Sequence, residues 1–217
     1  MKKWHILIML VGLLMLALCP SRGLGQELQP IRLPPPQTEI GHPLMQALKN
    51  RSSAREFSPD PLPAQVLSNL LWAAFGINRP DSGKRTAPSA RNWQETDIYV
   101  ATAGGLYVYD AKVHQLNPIL RDDVRAQTGT QAYVKDAPLD LVYVADFAKT
   151  GGESADRDLY VGADTGFIAQ NVYLFCASEG LSVVVRGSVD RAALSKVMRL
   201  RPDQKITLAQ TVGYPRK

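Results

Sequence analysis

The sequence predicts a single α+β domain behind an export leader, and three observations predict it. Segments with apolar residues at helical spacing are interleaved with short runs rich in Val, Leu, Ile and Tyr. A Gly-Gly turn joins two of those runs in the manner of an antiparallel hairpin, so helices and antiparallel strands occur in mixed order. Of the 217 residues, 192 remain once residues 1–25 are set aside, enough for one domain with a sizeable core.

Lys2 and Lys3 precede an uncharged run from Ile6 to Leu18. At 13 residues it is short for a membrane span and normal for the core of a secretory signal. Gly23 and Gly25 put small residues where a signal peptidase reads, so cleavage is expected after Gly25, giving a periplasmic or secreted protein. The alternative is a membrane-anchored form, although Leu18 stands before Cys19 where a lipobox needs something small. Lys2, Lys3 and Arg22 leave with the leader and no acid does, so the net charge falls from +5 to +2. No lysine-rich stripe remains, which argues against a nucleic-acid partner. Cys176 is then the one cysteine and reads as a small core residue.

Residues 26–41 contain Pro30 and Pro34-Pro35-Pro36 and read as an extended linker ahead of the folded domain, residues 42–217. Leu44, Ala47 and Leu48 form a short helical stripe. Leu62 to Phe75 is the clearest helix, with Val66, Leu67, Leu70, Leu71 and Ala74 on one face and Gly76 as its stop. A loop rich in Arg, Pro, Gly and Ser runs from Asn78 to Arg91. Asp97–Thr102 and Leu106–Tyr109 are strands around Gly104-Gly105, and 122–136 is expected as two short helical pieces around Gly129. Leu139–Ala145 is expected as a central strand, and Gly151-Gly152 opens a flexible excursion up to Asp158. Thr165 to Glu179 is an apolar helix, hydrophobic nearly all round, for the core or a subunit interface. Leu181–Arg186, a helix capped by Asp190, and Ile206–Val212 complete the chain.

Two segments carry the chemistry. Arg51-Ser52-Ser53-Ala54-Arg55 packs two guanidinium forks and two hydroxyls into five residues, a donor set that suits a phosphate monoester. Pro88-Ser89-Ala90-Arg91-Asn92 is a stiffened polar turn whose mixed donors and acceptors suit the edge of a heteroaromatic ring. A flavin mononucleotide is the most economical ligand with both features. His42 and His114 lie far apart without ligand-type neighbours, so no metal site is expected.

These two segments, together with Gln131-Ala132-Tyr133-Val134-Lys135-Asp136-Ala137-Pro138, Gln170-Asn171, Arg186-Gly187 and Val212-Gly213-Tyr214-Pro215, resemble the flavin nitroreductase superfamily in content and order. The likeness runs from about Pro43 to the C-terminus. Leu70 to Arg79 looks most like the branch containing the thiazole/oxazole-forming peptide dehydrogenases. The resemblance implies a central mixed or antiparallel sheet flanked by helices, and a homodimer with FMN at its interface. It implies that Arg51, Ser52, Ser53 and Arg55 hold the phosphate and ribityl chain. Pro88, Ser89 and Ala90 would cross to the partner subunit's flavin, and Asn92 would contact the ring. Arg186 and Gly187 occupy the place where relatives aim backbone amides at the reactive nitrogen; the Arg186 side chain either serves the site or pairs with Asp190. Arg216 is a further candidate for the phosphate.

The activity so implied is ping-pong reduction of a nitroaromatic, quinone or similar small-molecule acceptor. The electron donor would be NAD(P)H or, given the leader, an envelope reductant. No side chain stands out as a catalytic acid. A non-catalytic flavin-binding protein of the same fold remains an alternative, as does a peptide azoline dehydrogenase. The sequence lacks the Lys-Tyr dipeptide that the azoline-forming relatives use as base.

Overall fold

A computed structural model describes residues 28–151 and 156–216. The expected leader, the middle of the Gly151–Asp158 excursion and Lys217 lie outside the described residues. In chain order the elements are β1 (Ile31–Arg32), α1 (Leu44–Asn50), α2 (Ala64–Phe75), β2 (Ile77–Arg79), β3 (Lys84–Arg85), β4 (Thr96–Thr102), β5 (Gly105–Asp110) and β6 (Gln115–Leu120). They continue with β7 (Leu139–Asp146), α3 (Arg157–Glu179), β8 (Ser182–Arg186), α4 (Arg191–Val197) and β9 (Gln204–Gly213).

Seven strands form one sheet in the order β1-β6-β5-β4-β7-β9-β8, antiparallel at every pairing. Strand β7 lies inside the sheet, as its largely apolar run predicts, and all eight of its residues are buried, Asp140 and Asp146 included. The pleat divides the core. Ile98, Val100, Leu139, Leu141 and Tyr143 face α2 and α3 on one side. Tyr99, Ala101, Val142 and Val144 meet Leu194 of α4 on the other. The fold is thus a sheet flanked by helices, with the mixed-or-antiparallel alternative resolved as antiparallel.

Several elements differ from expectation, each for a physical reason. Strand β6 carries Pro118, which removes a ladder donor. It is tolerated because β1 pairs only with residues 115 and 116, leaving the rest of that edge unpaired. The Arg-rich loop after α2 contains the β2–β3 hairpin, which turns at Gly83 with φ 61°. Residues 122–136 form two single 3₁₀ turns, Arg125–Gln127 and Ala132–Lys135, rather than α-helical pieces. Helix α3 begins eight residues before Thr165. Its Gly162 and Gly166 weaken the local preference by about 1 kcal/mol each, and tertiary burial overrides them. The helix is also not buried all round: Val161, Asp164, Thr165, Ile168, Ala169, Val172, Tyr173 and Cys176 face inward, while Phe167 stays 45% exposed.

The segment read as a linker is extended but docked. Ile31 and Arg32 pair with Leu116 and Gln115, and Leu33 is buried. Ser68 on α2 donates to the Pro34 carbonyl at 2.5 Å, and its oxygen lies 2.7 Å from His114 Nε2. With the serine proton committed to Pro34, His114 donates from Nε2 and accepts at Nδ1 from the Tyr109 hydroxyl, 2.9 Å away. Ser68→Ala leaves both partners unsatisfied in a buried spot. It is expected to lower the unfolding free energy by about 1–3 kcal/mol in urea titration; no change would mean that the strap is held by packing alone.

Candidate functional site

The Arg51–Arg55 segment leaves α1 and runs along the free edge of β8, where Ala54 N–H donates to the Val183 carbonyl at 2.9 Å. Tyr173 of α3 fixes it from below. Its hydroxyl accepts from Val185 N–H at 2.9 Å and shares a 2.8 Å hydrogen bond with Ser53, while the Arg51 guanidinium sits 5.3 Å from its ring centre. Phe57 is buried in a bridge with Pro215, and Arg216 Nε donates to the Phe57 carbonyl at 3.3 Å, so the C-terminus returns to the same place. A cavity of about 270 Å³ opens between Arg55, Phe57, Tyr133, Asp136 and Arg216.

Arg51, Ser52, Ser53 and Arg55 present exposed donors, and Arg55 makes no ion pair with Glu56 among the described residues. Gly187 follows β8 two residues beyond Val185. A Cβ there would meet only Leu208 Cδ2, at 3.9 Å, so its backbone is open to close approach. Arg55 and Arg216 therefore share one cavity with Tyr133, and Arg51 and Ser53 meet on Tyr173, which the sequence did not single out; Ser52 is exposed between them, and Gly187 lies farther along, just past the end of β8. This donor set fits a phosphate monoester attached to a flat, partly apolar body.

Arg186 behaves differently from its neighbour. Its backbone stays in the sheet opposite Ala209, and its side chain turns into the core. There it donates to the Asp140 carboxylate at 2.8 Å, the Thr128 carbonyl at 2.6 Å and the Thr211 hydroxyl at 3.0 Å. Gly129 leaves the space that the guanidinium occupies. Pairing with Asp190 does not form, because that side chain caps α4 by accepting from Ala193 N–H at 3.0 Å. Burial pushes the Asp140 carboxyl up, to about 7, against the pull of the Arg186 charge, and lowers the guanidinium of Arg186.

Pro88, Ser89, Ala90 and Asn92 lie elsewhere. Ala90 N–H donates to Asp164 of α3 at 2.8 Å, and Ser89 accepts from Gln94 N–H at 2.9 Å. Arg91, Asn92 and Gln94 adopt φ values of 52°, 56° and 48°, a left-handed path that asparagine tolerates better than its neighbours do. Asp164 and Tyr173 are nine residues apart on one helix, which separates this turn from the Arg-Ser cluster by about 13 Å along the axis. Beneath the turn, Glu95 is fully buried; its Oε1 accepts from the Thr96 hydroxyl at 3.4 Å, while its Oε2 has no partner among the described residues. Loss of water raises its pKa to about 7, and the like charge of Asp164 adds to the effect. Asp164 and Tyr173 fall in the buried stripe of α3, so the helical period of that segment was the signal that could have found them.

These features gather the motif segments around one long helix on an antiparallel sheet, and the pattern has relatives. The family model described as Nitroreductase family matches residues 48–214. The chain belongs to the nitroreductase family. A nitroreductase crystal structure from Ralstonia eutropha JMP134 is 43% identical, with a TM-score of 0.84 over 89% of this chain and 93% of that one. Two more distant neighbours share the fold. One is a nitroreductase in complex with FMN from Desulfovibrio desulfuricans, 20% identical with a TM-score of 0.59 over 81% of this chain and 88% of that one. The other is a chain of the Escherichia coli microcin synthetase McbBCD complex with truncated pro-MccB17 bound, 19% identical with a TM-score of 0.67 over 89% and 80%.

Two outcomes follow from the buried charges. Arg186→Met removes the positive charge beside Asp140, so the buried acid takes up a proton and loses a donor, and the protein is expected to be destabilised by about 1–3 kcal/mol in urea unfolding; no measurable loss would mean that Thr211 alone satisfies the acid. Glu95 keeps its proton in the folded state up to about pH 7, whereas an unfolded glutamate ionises near 4.3. Between those values the native state binds the extra proton, so stability falls as pH rises. Wild type should lose about 1–3 kcal/mol relative to Glu95→Gln between pH 5 and 8, and parallel profiles for the two proteins would count against a protonated Glu95.

Proposed function

We propose that the protein is an FMN-dependent oxidoreductase that works as a homodimer, reducing a nitroaromatic, quinone or similar small acceptor. The observation that carries the reading is the gathering of Arg51 and Ser53 on Tyr173 and of Arg55 and Arg216 on one cavity, along the strand edge that ends at the open backbone of Gly187. Guanidinium forks and hydroxyls grip a phosphate, and a glycine at the strand end lets backbone amides approach a ring. The FMN-bound family neighbour supports the same ligand. Bound FMN supplies the two-electron chemistry, and the chain supplies binding, orientation and electrostatics. Donor and acceptor use the one site in turn, in ping-pong order. The donor is NAD(P)H or, if residues 1–25 export the chain to the periplasm or tether it to the membrane, an envelope reductant.

A dimer is supported by what one chain leaves open. Leu44, Met45 and Leu48 on α1 and Leu159 and Phe167 on α3 are all exposed. In such a dimer the partner would bring its Pro88–Asn92 turn to this chain's cradle. The visible spectrum of the purified protein tests the cofactor: flavin bands, with FMN released by acid at about one per chain, are expected. A colourless protein that takes up no added FMN would overturn the assignment. Arg55→Ala should weaken FMN binding by about 1.5–3 kcal/mol, the contribution of a charged hydrogen bond, in a fluorescence titration. An unchanged affinity would remove Arg55 from the phosphate.

A further inference from the structure

A second positively charged recess lies beside the Pro88–Asn92 turn. Arg79, Lys84 and Arg85 of the β2–β3 hairpin, with Ser89, Asn92 and Gln94, line a cavity of about 220 Å³ in which no acidic side chain takes part. The hairpin is held rigidly. Arg85 donates to the Gln94 side chain at 2.7 Å and to the Phe75 carbonyl at 2.9 Å, and Gln94 Nε2 returns to the Gly83 carbonyl at 3.1 Å. Arg79 donates to the Arg85 carbonyl at 2.6 Å and to the Asn78 side chain at 3.0 Å. Both acceptors of Arg79 are neutral, so its charge is uncompensated. Lys84 is exposed, and neither it nor Arg79 forms an ion pair among the described residues. The acids that act on Arg85 are Asp97 and Asp110, and Asp97 is itself engaged by Lys149 at 2.6 Å.

Three cations converge on a small concave space whose wall offers amide and hydroxyl donors and no counter-charge. Such a recess favours an anion, and it shares Ser89 and Asn92 with the turn assigned above to the flavin ring. We infer that the recess takes the carboxylate of a planar acceptor, so that the enzyme selects anionic ring compounds over neutral ones. This rests on the reading that Ser89 and Asn92 border the ring. The volume suits one substituted ring edge; it falls below the roughly 300–1,000 Å³ of sites for larger ligands, which weighs against the dinucleotide donor.

The test is calorimetric binding of 4-nitrobenzoate and 4-nitrobenzamide to the purified protein, with FMN content measured on the same samples. The wild type should bind the carboxylate about tenfold more tightly than the amide, the size of one charged hydrogen bond. Lys84→Glu should abolish that preference with FMN content unchanged, and Lys84→Arg should keep it. Arg79→Gln should act in the same direction as Lys84→Glu, with a thermal melt to confirm folding. Equal binding of the two probes by wild type, or a preference that survives Lys84→Glu, would overturn the inference. Loss of FMN from Lys84→Glu would also overturn it and give the recess to the cofactor phosphate. If Lys84→Glu instead changes the selection of NADPH over NADH and spares the benzoate preference, the recess belongs to the donor. Absence of FMN from wild type would strike the proposed cofactor, while the benzoate comparison would still decide the recess.

Discussion

Everything in the candidate site hangs from the buried face of α3. Tyr173 holds Ser53 and the edge of β8, Asn171 donates to the Ala73 and Ala74 carbonyls at the end of α2, and Asp164 takes the Ala90 amide. Tyr173 and Asp164 are polar side chains in a buried stripe otherwise filled by Val, Ile, Ala, Thr and Cys, and Asn171 sits half-buried beside it. A polar group there has to find a partner, since leaving it unpaired costs about 1–3 kcal/mol. The partners come from three segments remote in sequence, so one rigid helix sets the spacing of all three. Loops that could otherwise wander are positioned by an element with a fixed rise per residue.

The Arg186 network does comparable work on the far side of β8. A buried ion pair gives little net stability, because both charges lose their water. What it does enforce is geometry: Asp140 on β7, Thr211 on β9 and Thr128 beyond β6 must all meet one planar guanidinium. The strand that leads into Gly187 is thereby locked to its neighbour β9 and, across it, to β7. A glycine backbone held open for a ligand depends on such anchoring, since glycine itself contributes no contact that would restrain it.

How much of this was legible depends on whether the signal is local. Strand β7 and helix α2 could be read because burial on both faces, or on one, prints a run or a stripe directly into the sequence. The Arg51–Arg55 cluster was legible for the same reason, as its donors are adjacent in the chain. Pro118 hid β6, because its tolerance depends on how short the neighbouring strand is. Gly162 hid the first turns of α3, where tertiary packing outweighs propensity. The Pro-rich segment looked like a spacer because Ser68 and His114, which tie it down, are distant in sequence. Tyr173 was read as one more apolar helical residue, and only its hydroxyl, placed between Ser53 and Val185, gives it a part in the site.

The separation of the two motif segments bears on assembly. Within one chain the phosphate cradle sits at Tyr173 and the Pro88–Asn92 turn at Asp164, about 13 Å apart along the same helix. In the dimer proposed above, the turn that meets each flavin would come from the other copy. A two-fold axis solves this with no additional sequence, because one pairing supplies each cradle with the other chain's turn and makes two sites at once. The exposed Phe167 lies between Asp164 and Tyr173 in the chain, on the outward face of α3. Covering that face would bury apolar surface and complete the site in a single step, so in the proposed dimer, association and cofactor binding should be thermodynamically linked, each strengthening the other.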